Sequence, residues 1–279
     1  MSSLGTDQNQ QELTRKQRRE QAREQRWAAE QEALASAARR TRLTQLGIVV
    51  AVIVVGIVGV LIASGGGGVK KVEFGSSAAS ATTAEVSKLL NGIPQSANAL
   101  GNPTAPVTLQ YFGDLECSVC RAFTLSALPS IIGKQVRSGR LRIEYHSLET
   151  ATHEPEVFNA QQIAAYAAGK QDKAWNFIET FYHEQGEEDS GYVNEKFIQG
   201  IAKQIPGLKL ATWTSARSDT ALAGEVETDA QTASNDHLEG TPGFMIGRSG
   251  GAMRKFEPSS YTEAGAFEAE IEKLAKGSA

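Results

Sequence analysis

Cys117 and Cys120 are the only cysteines in the chain, and they stand one helical turn apart where the sequence changes character. Before them, Val107, Leu109 and Tyr111 alternate with Thr108, Gln110 and Phe112. β-formers on both faces predict a central strand. After them, Arg121–Gln135 reads as a helix interrupted near Pro129. A cysteine pair at such a junction can close a small-ring disulfide. Its first thiol sits at the positive end of the helix dipole, among free backbone N–H groups. These favour the thiolate and lower its pKa from ~8.5. Cys120, a turn deeper, reads as the more buried, resolving thiol. A zinc site would need two further ligands, and His146, His153, His183 and His237 are not paired at ligand spacing, so no metal is expected. A purely structural role is weak, because so short a loop stabilises little through chain entropy.

The remaining pattern sets the fold class. Ala84–Leu90 reads as a short helix and Asn98–Pro106 as turn-rich. Leu141–Tyr145 alternates as a second strand. From Glu156 to about Ser234 the pattern is helical, broken at Gly169, Gly186–Gly191 and Pro206-Gly207. Phe244–Ile246 is a strand, Gly247–Gly251 a turn and Met253–Phe256 its partner. Tyr261–Lys276 closes as a helix. This is an α/β, thioredoxin-like order with a helical insertion at about 150–235. The insertion is expected to cap the active-site face rather than lie across the sheet. Gly240-Thr241-Pro242-Gly243-Phe244 places a proline at a strand start; alone this reads as an ordinary trans turn proline, but with the upstream Cys-Ser-Val-Cys and the thioredoxin-like strand order a cis Thr241–Pro242 peptide facing the dithiol is expected. The Thr241 backbone is then expected to pair with an incoming extended peptide, and its hydroxyl to donate to Cys117.

The chain as a whole carries a net charge of −4, unevenly placed. Residues 1–45 hold nine basic and six acidic residues, and Leu46–Ala63 is an 18-residue apolar run without charge. As a helix the run would cover roughly 27 Å, close to the bilayer core. Arg39, Arg40 and Arg42 precede it and predict a cytoplasmic N-terminus. The division expected is a basic tail 1–42, a transmembrane helix 43–63, a flexible Gly/Ser/Ala/Thr linker 64–83 and a folded, extracytoplasmic domain 84–279. The net charge of −4 gives no support to nucleic-acid binding by the whole chain.

Three stretches carry a resemblance: Gly101-Asn102-Pro103-Thr104-Ala105-Pro106-Val107-Thr108, Tyr111–Phe123 with its Cys-Ser-Val-Cys, and Glu239–Phe244. In this order they resemble the membrane-anchored DsbA-like thiol-disulfide oxidoreductases, over about residues 84–276. The resemblance implies a nucleophile at Cys117, a resolving thiol at Cys120, a Cys117–Cys120 disulfide, a cis-proline at Pro242 and no bound cofactor. It implies clients with cysteines in extended segments, and a membrane redox partner that recycles the pair. Two positions depart from it. Ser118 stands where many relatives have proline, and keeps a backbone N–H. Tyr111 stands where many place a buried glutamate, so Asp114 and Glu116 become the candidates for proton transfer or pKa tuning. The expected function is an oxidant or isomerase of secreted and membrane proteins. The alternatives are a membrane-tethered reductase of a thiol-repair or haem-maturation pathway, and a non-catalytic scaffold.

Overall fold

The structure, a computed structural model, describes residues 77–277. The expected tail and transmembrane span, with most of the linker, lie outside the described residues. Among the described residues no helix is long and apolar enough to cross a membrane. The first helix, α1 (Ser77–Leu90), starts seven residues earlier than expected, inside the stretch read as linker. Packing overrides composition here: Ala79 is buried and the Thr83 hydroxyl donates to the Gln204 carbonyl at 3.2 Å.

Two two-residue strands follow, β1 (Gln95–Ser96) and β2 (Ala99–Leu100), the second inside the stretch read as turn-rich. Then come β3 (Val107–Gly113), α2 (Ser118–Ile131) and β4 (Leu141–Ser147). The sheet runs β1-β2-β4-β3, then β5 (Gly243–Arg248) and β6 (Met253–Lys255). β3 is central as expected, parallel to β4 and antiparallel to β5, with Leu109 opposite Ile143 and Ile246. Every β3 residue but Gln110 is buried, the signature of a strand covered on both faces. Gly101 makes the sharp entry to this region: its φ is +111°, and an added Cβ would lie 2.7 Å from the Leu141 carbonyl oxygen.

α2 runs through Pro129 and widens into a π-helical turn, Ile132–Val136, directly after it. The interruption expected at the proline therefore falls one turn later. The insertion supplies α3 (Pro155–Gly169), α4 (Ala174–Glu184), α5 (Glu195–Lys203), α6 (Leu210–Ala216) and α7 (Thr220–Asn235). The closing helix, α8 (Gly265–Lys276), starts later than the sequence suggested.

One sheet face carries Tyr111, Tyr145 and Phe244, neighbours by register. Phe123 from α2 and Phe267 from α8 pack on it, with Phe123–Phe244 and Phe244–Phe267 ring centres 4.9 and 5.0 Å apart. Trp175 from α4 meets Tyr145 on the same side. The insertion therefore lies across the sheet as well as reaching the active-site end, contrary to expectation, because its aromatic stripe completes the core. α7 serves the other face: Phe112 and Met245 pack with Ala233, and Asp229 accepts from the Ser147 N–H at 2.9 Å and pairs with His146 at 2.7 Å.

Candidate active site

The chain leaves β3 through Asp114-Leu115-Glu116 and enters α2 at Cys117, which is the N-cap residue. Its sulfur takes the place of a capping oxygen and accepts from the Cys120 N–H at 3.3 Å. Cys117 is 5% exposed and Cys120 fully buried, and both are free thiols. The two are opposite in acidity. The hydrogen bond from the Cys120 thiol is the largest influence on Cys117 and holds its pKa below the ordinary cysteine value. Burial opposes it; the Thr241 side chain and the N–H groups of Cys120 and Val119 add to it. Burial pushes Cys120 well up, and its hydrogen bond to Cys117 and the Cys117 charge push it further.

The Thr241–Pro242 peptide is cis, as expected. The Thr241 carbonyl accepts from the Cys117 thiol at 3.5 Å. The Thr241 hydroxyl also pairs with the Thr150 hydroxyl. Beside this loop a cleft of about 210 Å³ is lined by Thr241, Pro242, Phe244, Phe256 and Tyr261.

Asp114 and Glu116 do not share one role. Asp114 is fully buried and its oxygens are taken by a loop. Oδ2 accepts from the N–H groups of Thr150, Ala151 and Thr152 at 3.1, 2.9 and 2.9 Å. Oδ1 accepts from the Thr152 hydroxyl at 2.6 Å and the Glu116 N–H at 3.0 Å. It is a clamp that fixes the loop carrying Thr150, and of the two roles expected of it, proton transfer or pKa tuning, its charge does act on Glu116. Glu116 is 3% exposed and its pKa is raised to about 7, first by burial, with the Asp114, Asp189 and Glu188 charges adding and the Thr152 side chain opposing. Tyr111, at the other departure, donates to the Tyr182 hydroxyl at 3.1 Å, and Tyr182 donates to the Asp114 carbonyl at 3.1 Å.

Sequence reasoning missed the segment after α4. Gln185 Nε2 donates to the carbonyls of Leu115 (2.7 Å) and Cys117 (3.2 Å). Glu188 accepts from the Ser118 N–H, and Asp189 pairs with His153. The only signal there was the Gly186–Gly191 break, which says loop and nothing about its contacts. Among the described residues no cluster of His, Cys, Asp or Glu is placed to hold a metal ion.

A family model described as Thioredoxin matches residues 95–263. The chain belongs to the thioredoxin family. Within that family, a similar protein is the probable disulfide bond formation protein D of Bacillus anthracis, 22% identical over 149 residues that span 53% of this chain and 68% of that one. Another is disulfide bond formation protein D of Bacillus subtilis, 25% identical over 154 residues, 53% of this chain and 66% of that one. The fold is shared with oxidised BdbD from Bacillus subtilis (TM-score 0.55, 20% identity, 67% of this chain and 100% of that one). It is shared too with alpha-DsbA1 from Wolbachia pipientis (TM-score 0.55, 19% identity, 67% and 93%). With an acidified thiol at a helix start and a second thiol behind it, this member of the thioredoxin family is a thiol-disulfide oxidoreductase.

Proposed function

We propose that the protein is a membrane-anchored oxidant that introduces disulfides into extracytoplasmic proteins, with Cys117 as the exchanging sulfur and Cys120 as the resolving one. The observation that carries this reading is the opposite shift of the two thiols. An acidified Cys117 stabilises the reduced form, and a pair whose reduced form is stabilised is a strong oxidant. In the oxidising direction a client thiolate attacks Cys117 Sγ, the Cys117–Cys120 bond breaks and Cys120 leaves with the electron pair and takes up a proton. A second client thiolate then attacks the client sulfur of the mixed disulfide and releases Cys117 as thiolate. The client gains a disulfide; the protein gains two electrons, which a membrane redox partner must remove. The names of the Bacillus relatives agree with this direction.

The Thr241 backbone and the cleft lined by Pro242, Phe256 and Tyr261 suit an extended client segment. Glu116, neutral below about pH 7, keeps a negative charge away from Cys117 in mildly acidic surroundings. The uncharged run Leu46–Ala63 behind three arginines supports a single span with the catalytic domain outside. Replacing Cys120 with Ser in the full chain tests the reading in cells. Client adducts that reducing agent releases, joined through Cys117, are expected, with the parent pair mostly oxidised on acid quenching. A mostly reduced parent pair would turn the assignment to a reductase, and an absence of adducts would point to a scaffold.

A further inference from the structure

α2 begins beside the nucleophile, and its first N–H, that of Ser118, is not left to the thiolate. It donates to the Glu188 carboxylate, which arrives from the loop between α4 and α5, some 70 residues downstream. The same loop is fastened on both sides of that contact. Gln185 binds the carbonyls of Leu115 and Cys117 on one side, and Asp189 binds His153 on the other. His153 closes the 150–152 loop that Asp114 clamps, and Thr150 in that loop holds the Thr241 hydroxyl. The segment is thus a strap that crosses the start of α2 and ends at the loop opposite the dithiol.

We infer that Glu188 is a positioning residue that restrains the acidity of Cys117 by occupying the Ser118 N–H with a competing negative charge. The inference rests on Cys117 being the exchanging thiol. A helix start favours one anion among its free N–H groups, and a second anion there reduces what the first receives. The Cys117 sulfur takes the Cys120 N–H; Glu188 takes the N–H one residue before Val119. The other charged and titratable groups around the helix start are Asp114 and Glu116 in the preceding turn, Cys120 one turn into α2, Asp189, His153 and Glu154 at the strap, Tyr192 just beyond it, and Tyr261 from the segment before α8. Arg121, one turn into the helix, has its Nε committed to the Tyr182 carbonyl. Ser118 is what permits the contact, since a proline at that position has no N–H to offer.

The test is the pH profile of Cys117 alkylation by iodoacetamide in the reduced full-length protein, read by mass spectrometry for parent, Glu188→Gln, Ser118→Pro and the double variant. Glu188→Gln keeps an acceptor for the Ser118 N–H and removes only the charge. It is expected to raise the Cys117 thiolate fraction about two- to fivefold on the acidic limb of the profile. In the Ser118→Pro background, where the carboxylate has no N–H to hold it, the same change is expected to have less than half that effect. An unchanged profile for Glu188→Gln overturns the inference. So does an equal shift in the proline background, which would place the carboxylate's action elsewhere. If Cys117 of the parent is no more reactive than Cys120, the functional reading itself fails, a result distinct from either of these.

Discussion

Asp114, at the end of β3, and Glu179, in the middle of α4, are both carboxyl side chains almost without exposed surface. Asp114 accepts five hydrogen bonds, three of them from consecutive backbone N–H groups of one loop. Neither oxygen of Glu179 has a hydrogen-bond partner among the described residues, and burial alone raises its pKa to about 8. The contrast separates two regions. At the rim of the site, the buried Asp114 carboxylate is matched to donors and fixes the 150–152 loop, while Glu116 beside it is raised to about 7, mainly by burial. Inside the insertion a carboxyl group is buried without compensation and is held neutral instead. The two cysteines repeat the contrast across one helical turn: hydrogen bonds acidify Cys117, and burial raises Cys120. Proximity in the sequence therefore says little about chemistry here, and the donors within reach decide it.

The largest effect is expected at Asp114. Asn at that position turns an amide toward donors that need an acceptor. The expected loss is about 3 kcal/mol of unfolding free energy, since buried donors lose an acceptor at about 1–3 kcal/mol each. Urea denaturation measures it, and hydrogen exchange should show Thr150, Ala151 and Thr152 losing protection together. A loss below about 1 kcal/mol would mean the five bonds do not clamp the loop.

Glu179 should behave in the opposite sense. Its carboxyl has an ordinary value of 4.5 and a folded value of about 8. Between those pH values the native state holds a proton that the unfolded state has released, so stability falls as pH rises through that window. Glu179→Leu removes the effect, and a gain of about 3 kcal/mol at pH 7 is expected, shrinking toward zero near pH 4. A variant with the parent's pH profile would show that Glu179 has partners after all.

The dithiol end of the fold was legible because its signals are local. An alternating strand, a Cys-Ser-Val-Cys turn and a helix follow one another directly, and the β5–β6 hairpin carries its own Gly-rich turn. The cis Thr241–Pro242 geometry followed from its place before β5 taken together with the Cys-Ser-Val-Cys and the strand order. The β1–β2 hairpin was not legible, since strands of two residues cannot show alternation and the turn rests on Ala97 at a φ of 50°. Nor was the role of Asp114, whose donors lie 36 to 38 residues away in a loop with no pattern of its own. The strap was hidden for the same reason: Gln185 and Glu188 look like solvated loop residues until the fold brings them to the start of α2.

In the proposed mechanism one thiol exchanges and the other resolves. Alkylating the reduced protein over a pH series and scoring each cysteine by peptide mass tests it most directly. Cys117 is expected to react first, with a midpoint below that of a free cysteine, about 8.5, while Cys120 stays unmodified until the protein is denatured. Reaction of Cys120 first, or a Cys117 midpoint at or above the free value, would contradict it.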